Sequence, residues 1–156
     1  MDRRVVVTGM GVISSLGFDI ETFWGSIVAG KSGIKLVSKF DASDYPTKVA
    51  SEITDFDPSS YIDYKEAKRM DQFNIYAIAA AVNAMKESGL DLDIVDKERM
   101  GVIVGSGIGG IHTLEDQHQV MMEKGPKRVS PFFIPMMISN MASGRAAIQF
   151  GAKGYN

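Results

Sequence analysis

The chain has 156 residues, 45% of them apolar and 23% charged, an ordinary globular mix at the length of one domain. Its 17 basic and 19 acidic residues leave a net charge of −2, so nothing global draws it to nucleic acid or to an anionic membrane. It has no cysteine, which excludes disulfides, cysteine-built zinc and iron–sulfur sites and any thiolate nucleophile, and suits a cytoplasmic setting.

The opening residues carry too short an apolar run for a secretory signal. Val5, Val6, Val7 and Thr8 form a β-branched run ending at Gly9, which predicts a strand buried on both faces in a parallel sheet. Residues 9–17 read as a Gly/Ser loop. Asp19 then caps a helix whose Ile20, Phe23, Trp24, Ile27 and Val28 make one apolar stripe. Gly30 suits a left-handed helix end. Residues 31–60 are irregular, with one weak strand around Val49, Ser51 and Ile53 and a turn or helix entry at Asp57-Pro58.

A short helix is predicted over 64–70 and a long one over 71–88, with Asp71 as cap and Gly89 as stop. The middle of the long helix, Tyr76-Ala77-Ile78-Ala79-Ala80-Ala81-Val82, is apolar all round. Such a helix is buried on every side, and its alanines let neighbouring backbones come close. Residues 100–105 predict a second buried strand, leading into Gly105-Ser106-Gly107-Ile108-Gly109-Gly110 and a helix over 111–123. Gly125-Pro126 ends that helix. Ser130-Pro131-Phe132-Phe133-Ile134-Pro135 reads as a proline-bracketed aromatic loop, and a last helix is expected over 136–149. The pattern is α/β with parallel strands. Two buried strands and an all-apolar helix need covering layers beyond those here, so the chain is expected to be part of a larger domain or to need a partner chain.

The glycine segment fits G-x-G-x-x-G between a strand and a helix, the setting of a dinucleotide-binding turn. That reading also wants a second strand after the helix, ending in an acidic residue for the ribose. Residues 125–131 supply neither. The other reading is a tight turn that needs glycine for close backbone packing. His112 and His118 stand six residues apart, the wrong spacing for a metal pair on one helix. They read as helix-surface residues, and no metal or cofactor is expected.

Several motifs, in order, resemble the β-ketoacyl-acyl-carrier-protein synthases. They are Arg4-Val5-Val6-Val7-Thr8-Gly9-Met10-Gly11, Lys31-Ser32-Gly33-Ile34, Phe40-Asp41, Arg69-Met70-Asp71-Gln72-Phe73, the glycine segment, and 125–135. The resemblance covers essentially all of residues 1–156 and is closest to the chain-elongating type II synthases of bacterial fatty acid synthesis. It implies the thiolase-like fold, layered αβαβα, of which this is the N-terminal part of the N-terminal domain. It implies a decarboxylative Claisen condensation: an acyl group passes from carrier protein to a cysteine, and the carbanion formed from malonyl-carrier protein attacks that thioester. In the family the cysteine follows a Gly-x-Asn that matches Gly154-Tyr155-Asn156, and the catalytic histidines and a lysine lie further on. No catalytic residue is therefore expected in this chain, and alone it should not condense.

The same resemblance makes Ile108 a gate over the acyl pocket, with Phe132, Phe133 and Met137 lining a tunnel near the axis of a homodimer. The alternative reading of Ile108 is a hydrophobic plug in a turn, and that of the other three is core packing. Lys65, Lys68 and Arg69 have the spacing of one helix face, and Lys127-Arg128 form a second basic pair. A solvated surface is the plain reading; by resemblance both groups dock the acidic acyl carrier protein. Three functional readings follow: part of a ketoacyl synthase, a truncated non-catalytic interaction protein (or silent paralogue) keeping these surfaces, and a dinucleotide-binding domain.

Overall fold

The computed structural model describes residues 3–156. The helices are α1 (Ile20–Val28), α2 (Tyr64–Ala67), α3 (Gln72–Ser88), α4 (Ile111–Lys124), α5 (Phe133–Met137) and α6 (Met141–Phe150). Two short strands, β1 (Lys35–Leu36) and β2 (Val49–Ala50), pair antiparallel with Lys35 opposite Ala50.

The long helix is set by its ends. The Asp71 carboxylate accepts from Phe73 N–H at one end of α3, and Gly89 closes the other at φ 64°, where a side chain would be strained. Between Phe73 and Met85 no residue of α3 is exposed, as its apolar circumference predicts. Helix α6 packs along it, with Ile78 of α3 and Ala146 and Phe150 of α6 joined by Ile62 in the buried core. On another side the N-terminal segment crosses α3 at its alanines: a Cβ on Gly9 would lie 2.2 Å from the Ala84 carbonyl oxygen. Rings of Phe18, Phe56, Tyr61 and Tyr76 hold this corner, with centroids 5.2–5.7 Å apart.

Helix α1 forms as predicted. Asp19 accepts from Thr22 N–H at 2.7 Å, and those Thr22 hydrogen bonds hold its carboxyl below the usual range. Its apolar stripe is only partly used. Ile20 and Phe23 turn inward, whereas Trp24, Ile27 and Val28 stay exposed.

Residues 5–8 and 100–105 differ from expectation, because neither carries a strand ladder. Val5 is 92% and Ile103 89% exposed. A doubly buried strand exists only with neighbours on both edges and both faces, and the described residues do not supply them. One beginning of such pairing is present: Gly154 N–H donates to the Met100 carbonyl at 2.8 Å and Val102 N–H to the Tyr155 carbonyl at 2.9 Å. The two segments run in the same direction. The sheet formed among the described residues is instead the β1–β2 pair.

The last predicted helix is two. Ile138, at ψ 138°, leaves helical geometry and separates α5 from α6. The aromatic segment is correspondingly more ordered than a loop, since Phe133 already belongs to α5. Pro135 is tolerated there because it lies in the first turn, where its missing N–H has no helical partner to lose.

Candidate functional site

The site is built around the N-termini of α3 and α4. Gly110 precedes α4 and has no side chain to cap it. Asp71, 42 residues before Thr113, does so instead: its Oδ2 accepts from Thr113 N–H at 2.9 Å and from Thr113 Oγ1 at 2.7 Å. One carboxylate thus caps two helices, where both macrodipoles favour a negative charge. Asp71 and Thr113 are both buried.

The glycine turn packs into the corner this creates. Gly110 N–H donates to the Met137 carbonyl at 2.8 Å. A Cβ on Gly109 would stand 2.4 Å from that oxygen, and one on Gly110 would stand 2.8 Å from the Met136 carbonyl and 2.9 Å from Asp71 Oδ2. Gly109 also sits at φ 82°. These glycines serve close backbone approach. Asp71 also holds the Thr113 N–H of the α4 N-terminus, so the observed contacts of this motif are those of close packing.

The residues singled out from sequence fall as follows. Ile108 sits at the tip of the turn, 71% exposed. Phe133 and Met137 are half-buried in α5, and Met137 is the residue on which the glycine turn rests. Phe132 is on the surface, with the Arg69 guanidinium 4.7 Å from its ring centroid. Lys68 lies over Tyr64 at 4.3 Å.

Lys65, Lys68 and Arg69 are all exposed, but they do not share one long helix face. Helix α2 ends at Ala67, Lys68 is its C-cap, and Arg69 turns toward the aromatic segment. Lys127 and Arg128 are exposed in a short 3-10 turn, Pro126–Arg128, a few residues before Phe132. Arg69 therefore joins the first basic group to the segment that carries the second. Glu66, on the same short helix, pairs with Arg145 of α6 at 2.9 Å. His112 and His118 lie on the exposed face of α4, with His112 3.5 Å from Asp116. No cluster of three or more metal-ligating side chains occurs among the described residues.

Sequence reasoning missed the Asp71–Thr113 tie. Asp71 was read as a cap for its own helix, and nothing local points 42 residues on. The one available signal was Gly110, a helix start without a capping side chain.

Solved structures of similar fold are thiolase-like ketosynthases. The ishigamide ketosynthase/chain length factor matches with a TM-score of 0.86 and 31% identity, over 98% of this chain and 38% of that one. A type II PKS ketosynthase in complex with its acyl-carrier protein matches with a TM-score of 0.78 and 26% identity, over 95% of this chain and 39% of that one. The fold is thus α/β and thiolase-like.

Residues 2–156 match the family described as Beta-ketoacyl synthase, N-terminal domain, and the chain belongs to that family. It is 46% identical to 3-oxoacyl-[acyl-carrier-protein] synthase 2 of Synechocystis sp. and of Staphylococcus aureus, over 99% of this chain in each case. It spans 37% of the length of those relatives.

Proposed function

We propose that residues 1–156 form the N-terminal part of the catalytic domain of a chain-elongating 3-oxoacyl-acyl-carrier-protein synthase. The observation that carries this is the 46% identity to such synthases along 99% of the chain. In the reaction, a cysteine thiolate takes the acyl group from its carrier-protein thioester. Malonyl-carrier protein loses CO2, and the carbanion so formed attacks the enzyme thioester. The thiolate leaves, and 3-oxoacyl-carrier protein is released. With no cysteine in its sequence, this chain supplies the surroundings of that chemistry rather than the nucleophile. Alone it condenses nothing.

Its part is recognition. Lys65, Lys68, Arg69, Lys127 and Arg128 form the docking surface for an acidic acyl carrier protein. The Arg69–Phe132 contact supports this by linking the two basic groups through one segment. Ile108 gates the acyl pocket, and Phe132, Phe133 and Met137 line it in a cytoplasmic homodimer. No helix among the described residues is long and apolar enough to cross a membrane.

The first test is the intact mass of the protein in its source, together with CO2 release from malonyl-carrier protein in the presence of acyl-carrier protein. A mass more than twice 17.0 kDa with CO2 release is the expected result. A mass of 17.0 kDa, with carrier-protein binding but no CO2 release, overturns it in favour of a non-catalytic interaction protein.

A further inference from the structure

We propose that Asp71 is a positioning residue for acyl-chain selection: it fixes the height of the Ile108 turn by holding Thr113 of α4. The inference rests on the reading of Ile108 as the gate.

Ile108 itself is 71% exposed and is held by little of its own. What locates its turn is the residues just after it. Gly109 N–H donates to Ser106 Oγ within the turn, and Gly110 N–H donates to the Met137 carbonyl. The next fixed point is Thr113, where backbone and side chain both donate to one oxygen of Asp71. Gly110 is pressed between that oxygen and the Met136 carbonyl, with room for no Cβ. A shift of α4 along its axis would break the Thr113 pair and release the turn.

The neighbouring tie cannot replace this one. Asn74 is three residues beyond Asp71, on the same face of α3. Its Nδ2 reaches the Met136 carbonyl only at 3.4 Å, and its buried Oδ1 has no hydrogen-bond partner among the described residues. The charged pair of bonds to Asp71 is the stronger anchor. Asp71 is also two residues from Arg69, which lies on Phe132. The proposed docking surface and the proposed gate therefore meet at one buried carboxylate.

The cap on α3 and the tie to Thr113 can be separated. In Asp71→Ser the shorter side chain still caps α3, because serine is among the preferred capping residues, but it does not reach Thr113. Thr113→Val removes one of the two donors, and Thr113→Ser keeps both. The test uses the full-length synthase and reads kcat/KM for a long and a short acyl-carrier substrate, alongside amide exchange at Gly109 and Gly110.

The expected result is a change of roughly tenfold in the long-to-short ratio for Asp71→Ser, about 1.4 kcal/mol in selectivity. Thr113→Val gives a smaller change in the same direction, and Thr113→Ser stays within about twofold of the parent. Gly110 exchange rises in the first two variants only. A uniform loss for both substrates with unchanged exchange overturns the proposal and leaves Asp71 as a structural cap. Should Asp71→Ser fail to fold, Thr113→Val against Thr113→Ser decides the same question. If the parent protein shows no condensation, the proposed function fails, and the exchange measurement alone still decides whether Asp71 holds the turn.

Discussion

Gly11 passes so close to α3 that a Cβ on it would stand 1.9 Å from the carbonyl oxygen of Ala80. Two backbones touch there because one residue is glycine and the other alanine. Gly11→Ala has no side chain to push aside, only helix backbone, so it is expected to cost at least about 3 kcal/mol. Gly25 offers the contrast. It lies in α1 with nothing within 4 Å of the position a Cβ would take. Gly25→Ala is expected to raise stability by about 0.5–1 kcal/mol through backbone entropy. Urea midpoints of the two variants in the full-length protein check both signs.

The exposed lysines and arginines act through long-range charge. Replacing Lys65 and Arg69 by Glu reverses two positive charges that are exposed on the surface. Association with an acidic carrier protein should slow roughly tenfold at low salt, with little change in dissociation. The difference should shrink as ionic strength rises and the Debye length falls below about 10 Å. Stopped-flow association at two salt concentrations measures this, and an unchanged, salt-independent rate would remove the docking role.

The β1–β2 region carries a pH-dependent contact. Glu52 accepts from Ser38 Oγ at 2.6 Å and from Ser38 N–H at 2.9 Å. The Ser38 hydroxyl above all holds the Glu52 carboxyl below its usual range, against a smaller opposing effect of desolvation. Because the folded form favours the carboxylate, its contribution is present above the ordinary carboxylate range. It is lost as pH falls through the lowered folded value. Removing the hydroxyl in Ser38→Ala should move the Glu52 midpoint upward. A carboxyl-detected NMR titration of both proteins reads the shift directly, and coincident curves would count against the contact.

What could be read from the sequence followed what is local. Asp71 and Gly89 marked the ends of α3 because capping and left-handed closure are decided within a turn of the chain. The alanines of α3 announced close approach, and Gly9 and Gly11 supply it. The break at Ile138 was missed, although Ser139 and Asn140 just before Met141 are residues that favour helix starts. Residues 5–8 and 100–105 read as strands by composition, but a ladder is a property of two segments, and one alone does not make it. For the site, the basic and aromatic positions were legible as types. That Arg69 leaves the face of Lys65 for Phe132, and that Asp71 serves α4 as well as α3, depend on contacts 42 to 63 residues away in sequence.

The exposure of Ile108 makes its proposed role easy to isolate. At 71% exposed, a larger side chain meets no packed neighbour in this part of the fold. Ile108→Phe should leave stability within about 0.5 kcal/mol of the parent. In the full-length synthase, however, the added ring would fill space that a long acyl chain needs and a short one does not. The expected outcome is a fall of roughly a hundredfold in kcat/KM for long acyl-carrier substrates, with short ones within about threefold. Because the fold is undisturbed, such a split reports on the pocket alone. Equal kcat/KM across chain lengths, at unchanged melting temperature, would place Ile108 outside the acyl path.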